Sequence, residues 1–429
     1  MDFTGEESSS SMAINDTDPS GPTDGSPTSS STLRSPSSSS TPRHRFWETQ
    51  PVMRLEDVNN NAQGPIMAPI PRSAIKQVPY NLPTNFEWRP IDIDDDASFA
   101  KLHGFLDKNY REDSTFPYSY CKDFLRWVLG APGHIKSLHV GVFAKNTKKL
   151  VGFISGNPAS VRIKDEHLRL AIVNILCVHK KLRSKRLVPV LIKELTRRAQ
   201  LKGIWQAIYA TTHFCPTPFC TTYWIDRIFN HVKLFHLGLL TVDENIFIPG
   251  RVKRSRKLPK ETTTRGFRRM EPRDVEAVTV LLQEYLNKFL VAPKVDKRFV
   301  EHFVLPKEDL VQSYVVENPA TNVITDFCSF FVQKKLLRNY PLYSELKYAV
   351  LFYHASSVTP VEKMMRDLLV VVKREGHDLV RAHGLMGYAS FLDRLFFKET
   401  AGTRMVKHYL YNYRLRAAVD HTKLGLFLL

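Results

Sequence analysis

The chain has 429 residues, 43% hydrophobic and 11% aromatic, so it can bury one large core or two medium ones. A formal net charge of +18 favours anionic partners: nucleic acid, phosphorylated metabolites or an acidic membrane surface. Five scattered cysteines suit a reducing compartment, no apolar run reaches the roughly 18–20 residues of a membrane span, and Asp2, Glu6 and Glu7 speak against a secretory or transit leader. The expectation is a soluble cytoplasmic protein.

Residues 1–45 form a Ser/Thr/Pro/Gly-rich tract with little to bury, and the composition predicts disorder there. Order is expected from "RFWETQPV" (residues 45–52), and a polar, Pro-rich stretch at residues 59–83 reads as extended. Residues 86–110 then read as a strand, an acidic helix start and a helix with Phe99, Leu102 and Leu106 on one face. Residues 140–156 read as a hairpin. The pattern recurs. Residues 266–289 repeat the strand–helix unit with Val275, Val278, Leu282 and Tyr285 as the apolar face, and residues 314–331 repeat the hairpin. The offsets from Asp95 to Asp274 and from Phe153 to Phe327 are about 179 and about 174 residues, close enough to suggest one internal period. A mixed α/β (α+β) fold of two tandem halves follows. The boundaries are 1–45 for the tail, 46–262 for the first half and 263–429 for the second, with the junction near the basic residues 251–266.

Between the two hairpins lies "VNILCVHKKLRSKRLVPVLIKELTRR" (residues 173–198). Residues 170–178 are apolar and β-branched, as expected of a buried strand. From Val188 the apolar positions Val188, Leu191, Ile192, Leu195 and Ala199 fall at helical spacing, with Pro189 in the tolerated first turn. Lys180, Lys181, Arg183, Lys185 and Arg186 stand between. Strand, cationic loop and helix N-terminus can together hold a pyrophosphate through unpaired backbone N–H groups and the helix dipole. A solvated basic face or a nuclear-import tag would use the same charges. The order hairpin, buried strand, cationic helix start matches the architecture of CoA-dependent acyltransferases of the GNAT type. In the second half the corresponding turn is "HASSVT", which has no cation, so only the first half is expected to take phosphates.

The motifs "NILCVHKKLRSKRLVPVLIKELTRR", "RFWETQPV", "PYNLP", "FLRWVL", "LVGFISG" and "LYNYRL…LGLFLL" resemble the glycylpeptide N-tetradecanoyltransferase (protein N-myristoyltransferase) family, plant-type members most nearly, from about residue 45 to 429. The resemblance implies two GNAT-like halves related by a pseudo-two-fold, with the acyl-CoA site in the first and the peptide site in the second. It implies transfer of myristoyl from myristoyl-CoA, a co-substrate rather than a prosthetic group, to the N-terminal glycine amine of peptides or nascent proteins. It also implies a cytoplasmic monomer, with ribosomes as a further candidate partner. Carried over residue by residue, the backbone N–H groups of Ile175 and Leu176 stabilise the oxyanion, Asn174 and Tyr223 face the peptide end, and the carboxylate of Leu429 serves as base. Arg45, Phe46 and Trp47 line the acyl-CoA site with the backbone of Ile175, Leu176, Cys177 and Val178. Arg183, Ser184, Lys185, Arg186, Leu187, Val188 and Pro189 cradle the phosphates. Tyr110, Phe116, Tyr118, Tyr223 and Tyr353 line the peptide groove; core packing is the plainer reading of Phe116 and Tyr118. The apolar ending "LGLFLL" fits a buried terminal carboxylate and equally a segment that only completes the fold.

The chain departs from the family pattern in places. Ile172 and Ile175 stand where the family has Glu and Phe, Val188 replaces a small Ala, Ile225 replaces a His and Gly384 an Asp. A groove segment has become Gln333-Lys334-Lys335, and Arg111 enters a shortened acidic loop. Acidic groups are lost and cations gained, which predicts an altered peptide preference and an alternative identity as a weak or inactive acyl-CoA-binding relative. His213, Cys215 and Cys220 have poor zinc spacing, so no metal is expected. Nor does any aromatic–basic module support a nucleic-acid partner.

Overall fold

The computed structural model describes residues 46–54, 56–57, 62–110, 121–212, 215, 217–240, 257–337, 340–400 and 405–429. Arg45, Phe116 and Tyr118 lie outside the described residues, as do the tail at 1–45, Arg111, His213 and residues 251–256 of the basic stretch before Gly266.

Strand β1 (Phe86–Pro90) leads into helix α1 (Asp96–Asn109), whose start is set by Asp95: its carboxylate accepts from the Ser98 N–H at 2.7 Å. Phe99, Leu102 and Leu106 are buried as the helical period predicts. Helix α2 (Lys122–Leu129), the hairpin β2 (His139–Ala144) and β3 (Leu150–Ser155), then β4 (Asn157–Ile163), β5 (Glu166–Val173) and β6 (Leu176–Val178) follow. Helix α3 (Leu187–Gln200), β7 (Gln206–Thr211), β8 (Cys220–Ile228) and α4 (His231–His236) complete the first part. The second part holds β9 (Phe267–Arg269), α5 (Val275–Leu286), β10 (Val291–Pro293), α6 (Lys297–Phe303), β11 (Val311–Glu317), β12 (Ile324–Leu336) and β13 (Glu345–Ser356). After these come α7 (Val361–Arg374), β14 (Leu379–His383), α8 (Ala389–Leu392) and β15 (Met405–Tyr411). At its start Gly266 has φ +80°, and a Cβ there would lie 1.9 Å from the Glu317 carbonyl oxygen, so β9 can join β11 only through a glycine.

The repeat is visible in the strand pairing. The antiparallel series β1–β2–β3–β6 has its counterpart in β9–β11–β12–β13. Each series is followed by a helix and a parallel strand: β5 pairs β7, and β13 pairs β14. Serines at corresponding positions bond across to the neighbouring strand in both halves. The Ser155 N–H donates to the Ile175 carbonyl at 2.9 Å, and the Ser329 hydroxyl donates to the Tyr353 carbonyl at 2.7 Å. The halves are also woven together, because β15 from the end of the chain lies between β7 and β8 in an 11-stranded sheet.

One expectation changes. Residues 170–178, read as a single buried strand, are two: β5 belongs to the large sheet, while β6 pairs β3 in a separate four-stranded sheet. Asn174 and Ile175 are the point where the strand passes from one sheet to the other. Apolar periodicity reports burial and is blind to which sheet a strand pairs with, so the split left no mark in the pattern. Its consequence is a gap between the sheets, and α3 covers one side of it. The middle of α3 is pinned by Glu194, which is fully buried. Burial alone would raise that carboxyl, but Arg197 and Arg198 at 2.7 Å and the Tyr80 N–H at 3.1 Å hold it below the ordinary carboxylate range.

Candidate active site

The phase of the ladder at the gap determines which amides are available. Ser155 N–H to Ile175 carbonyl (2.9 Å) and His179 N–H to Val151 carbonyl (2.8 Å) turn the backbone of residues 175, 177 and 179 toward β3. Leu176 and Val178 therefore aim their N–H groups at the opposite side of β6, where no strand is paired. The Ile175 N–H donates to the Ser155 hydroxyl at 3.2 Å. Leu176 thus offers a rigid donor on an open edge, and Ile175 one lightly held by a side chain. Such an arrangement can stabilise negative charge developing on a carbonyl oxygen.

After β6, residues Lys180–Lys185 form a 3-10 turn and Arg186 adopts the left-handed conformation, φ 56° and ψ 28°. A right-handed residue followed by a left-handed one turns successive N–H groups into a common concavity, a nest for an anion. Arg186 is also the N-cap of α3, and no side chain among the described residues caps that helix, so the first-turn amides of Leu187 and Val188 stay available to a ligand. Pro189 has no N–H to satisfy. The cations of Lys181, Arg183, Lys185 and Arg186 are exposed around it. The loop is fastened from beneath by Asn109, the buried last residue of α1. Its side-chain oxygen accepts from the Lys180 N–H at 3.3 Å, its carbonyl accepts from the Arg183 guanidinium at 2.7 Å, and its amide donates to the Phe105 carbonyl at 2.9 Å. Asn109→Ala is expected to weaken binding of the acyl-CoA that the sequence resemblance implies about fivefold, because the loop loses one clamp worth about 1 kcal/mol. Isothermal titration with myristoyl-CoA checks this, and unchanged affinity would show that the loop holds its shape without the asparagine.

The equivalent turn of the second half is closed by its own chain. The Asp326 carboxylate accepts from the N–H groups of Ser357, Val358 and Thr359 at 3.0, 3.1 and 3.0 Å and from the hydroxyls of Ser356 and Thr359 at 2.8 and 2.7 Å. These amides lie ahead of α7 as the nest amides lie ahead of α3. An internal carboxylate occupies the place an anion would take, so the absence of cations in "HASSVT" has a structural counterpart: that cradle is already filled.

Beside the strand junction lies a cavity of about 340 Å³. Asn174, Ile172, Tyr353, Phe352 and Leu429 contribute to its wall, with Arg169, Ser160 and Lys294 nearer solvent. The Asn174 side-chain oxygen is buried with no hydrogen-bond partner among the described residues. An orphan acceptor on a cavity wall is suited to an incoming N–H donor. Tyr353 is completely buried, burial pushes its hydroxyl well up, and that hydroxyl accepts from the Phe427 N–H at 3.4 Å. The chain reaches the cavity along a fixed path. Leu290 N–H to Lys423 carbonyl (2.8 Å), Gly425 N–H to Val291 carbonyl (2.7 Å) and Met386 N–H to Leu424 carbonyl (2.9 Å) hold the segment before Leu429. A Cβ at Gly425 would meet the Phe289 ring at 2.9 Å, which accounts for the glycine within an otherwise apolar run.

A second, apolar hole of about 40 Å³ opens on the other side of the strand, among Trp47, Ile154, Val173, Leu195, Tyr209 and Tyr411. It admits only a few water-sized groups as it stands. Trp47 stacks on Tyr209 at 5.9 Å, and Phe46 meets Trp47 edge-on at 5.1 Å.

The sequence-derived site residues separate accordingly. Asn174, Tyr353 and Leu429 meet at one cavity; Trp47 lines the other; Ile175, Leu176, Cys177 and Val178 form the edge between, and Arg183, Ser184, Lys185, Arg186, Leu187, Val188 and Pro189 the nest and helix start. Tyr110 is not on the larger cavity's wall: it is buried with Phe99, Phe105, Leu106 and Ile175. Tyr223 is likewise off that wall and packs over Gly384, where a Cβ would lie 3.1 Å from its ring, so the glycine gives the tyrosine its room. Lys334 and Lys335 do not line the cavity either. Lys334 is paired with Asp309 at 2.8 Å, and Lys335 lies over the Tyr348 ring. Sequence reasoning missed Asn109, Asp326, Arg169 and Lys294, whose roles depend on contacts between distant segments.

Comparison with known proteins completes the description. The family model for the N-terminal domain of myristoyl-CoA:protein N-myristoyltransferase matches residues 65–222, and that for the C-terminal domain matches residues 243–425. The chain is 45% identical over 390 residues to glycylpeptide N-tetradecanoyltransferase 1 of Arabidopsis thaliana, covering 90% of this chain and 89% of that protein. It is 39% identical over 388 residues to glycylpeptide N-tetradecanoyltransferase 2 of Bos taurus, covering 90% and 76% respectively. A crystal structure of Saccharomyces cerevisiae N-myristoyltransferase with bound myristoyl-CoA matches with a TM-score of 0.84 at 30% identity, over 91% of this chain and 96% of that one.

Proposed function

The chain belongs to the myristoyl-CoA:protein N-myristoyltransferase family, and from that premise we propose how its own residues carry the transfer of a tetradecanoyl group from myristoyl-CoA to the N-terminal glycine amine of a protein. The nest and the α3 N-terminus take the CoA phosphates. The acyl chain runs past β6 toward Trp47 and Tyr209 and widens the small apolar hole as it enters. The thioester carbonyl then lies at the open edge of β6, where the Leu176 N–H holds the oxygen as it becomes anionic.

The acceptor glycine enters the larger cavity, and Asn174 receives a hydrogen bond from its amine. A free α-amino group titrates at about 7.7–8.0, so a weak base suffices to keep the attacking nitrogen neutral. That base is the Leu429 carboxylate. Nitrogen attacks the thioester carbon, the tetrahedral intermediate collapses, and the CoA thiolate leaves as the new amide forms. The observation that carries this reading is the meeting of Asn174, Tyr353 and Leu429, drawn from three distant parts of the chain, on the wall of one cavity.

The division at about residue 262, with acyl-CoA on the first half and peptide on the second, belongs to the same proposal, as do a monomeric state, a cytoplasmic location and an encounter with nascent chains at ribosomes. No helix among the described residues is long and apolar enough to cross a membrane. The decisive test incubates the protein with myristoyl-CoA and octapeptides that begin with Gly or, as controls, Ala, and reads products by mass spectrometry. Acylation confined to the Gly peptides is expected. Binding of myristoyl-CoA with no acylation across a broad panel would leave an acyl-CoA-binding relative in place of a transferase.

A further inference from the structure

Three side chains, from two strands and from the residue just past a third, stand in a row at the mouth of the larger cavity. Ser160 of β4 is directly opposite Arg169 of β5 in the ladder, and on its other side the Lys294 N–H, just past β10, donates to the Ser160 carbonyl at 2.8 Å. Residues directly opposite across strands share a face, so guanidinium, hydroxyl and ammonium form one line of donors. All three border the cavity that Asn174 and Leu429 also border. Neither Arg169 nor Lys294 has a side-chain hydrogen bond or ion pair among the described residues, which sets them apart from many of the chain's other cations. Two carboxylates also border the cavity, that of Asp296, which caps α6 and accepts from the Phe299 N–H at 2.8 Å, and that of Leu429. Ile172, deeper on the same wall, adds no charge.

We infer that this row reads an acidic side chain of the acceptor protein, a Glu or Asp a few residues after the N-terminal glycine. The proposal rests on the acyl-transfer reading for the identity of the peptide, and names the substrate class that the mouth of the site selects. An aspartate or glutamate carboxylate can accept from the Arg169 guanidinium and the Ser160 hydroxyl together, with Lys294 supplying a second cation. A lysine or arginine at the same place meets like charge on both sides and is rejected by repulsion as well as by lost contact. The expectation drawn from Lys334 and Lys335 thus keeps its direction but moves to different residues.

The test separates binding from turnover. Peptides of the form Gly followed by neutral residues, with a single Glu, Gln or Lys placed in turn at each later position, are titrated against the protein loaded with a non-hydrolysable myristoyl-CoA analogue. In parallel, kcat/KM is measured with myristoyl-CoA itself. At one or two positions Glu is expected to bind about three- to tenfold more tightly than Gln, and Lys more weakly than Gln, with the Glu advantage shrinking as salt rises. Lys294→Met and Arg169→Met, which keep most of the side-chain length, should each reduce the Glu/Gln ratio, and the double variant should bring it close to one. Equal binding of Glu and Gln peptides at every position, or a Glu preference untouched by the double variant, overturns the proposal. Preference without turnover would overturn the transfer reading alone, and turnover without preference would overturn this inference alone.

Discussion

Converting the terminal carboxylate of Leu429 to an amide lowers kcat by about 10²- to 10⁴-fold, the range of a positioned general base, while myristoyl-CoA still binds. The reason is geometric. The backbone from Lys423 to Gly425 is fixed by hydrogen bonds to Leu290, Val291 and Met386, and Leu424, Leu426 and Phe427 are buried, so Leu429 is delivered to the cavity by a segment with little freedom. A single appended glycine moves the carboxylate by about 3.5 Å and should cost nearly as much. Leu429→Ala provides the contrast: it keeps the carboxylate, loses only apolar contact, and should lower kcat far less. Single-turnover kinetics with bound myristoyl-CoA checks the series. An amidated protein that acylates a Gly peptide at the unmodified rate would place the base elsewhere.

The second large effect concerns acid. His354, His377 and His408 are buried, and burial, the largest cause in each case, pushes their imidazolium pKa values down to about 3, about 4 and about 3. His139 and His383 are shifted in the same direction by the same cause. The surroundings require neutral rings. The Thr222 hydroxyl lies 2.5 Å from His383 Nε2 and 2.9 Å from His408 Nε2, so protonating both rings would set two positive charges on either side of one buried oxygen. Because these folded-state values lie below the ordinary value of about 6.5, the unfolded chain binds more protons between pH 6.5 and about 3. Stability from these groups is fully present above pH 6.5 and is lost as pH falls through that window. Three such histidines give a slope of about 4 kcal/mol per pH unit near pH 5, against a typical total of about 5–15 kcal/mol. Urea midpoints should be level from pH 7 to 8 and fall steeply from pH 6 to 5. A midpoint at pH 5 equal to that at pH 7 would mean that the rings become protonated without cost.

Much of the scaffold was legible because it is local. Both hairpins, the helices after Asp95 and Leu187, and the repeat of about 175 residues follow from periodicity and capping within single segments. The cationic turn after Val178 was read as a candidate anion site from the order of strand, basic loop and helix start, but the left-handed Arg186 that shapes the nest left no signal, since arginine has no special preference for that conformation. The crossing of the strand from one sheet to the other at Asn174 left no signal, because both sides are apolar. Asp326 looked like an ordinary strand residue. That it fills the second cradle depends on Ser356 to Thr359, some thirty positions away. Tyr110 and Tyr223 carried a groove role from the resemblance, yet Tyr110 packs into the core around α1 and Tyr223 takes the room that Gly384 leaves. The cations of the mouth were foreseen in sign but not in identity, since Arg169 and Lys294 become neighbours only through the pairing of β4 with β5 and β10.

The most direct measurement is a crystal structure of the protein with a non-hydrolysable myristoyl-CoA analogue. The diphosphate should lie on the amides between Arg183 and Val188, the acyl carbonyl oxygen within hydrogen-bond reach of the Leu176 N–H, and the carboxylate of Leu429 facing the same carbon across the cavity. A diphosphate bound elsewhere, or a carbonyl turned away from the free edge of β6 with Leu429 out of reach, would contradict the account at its centre.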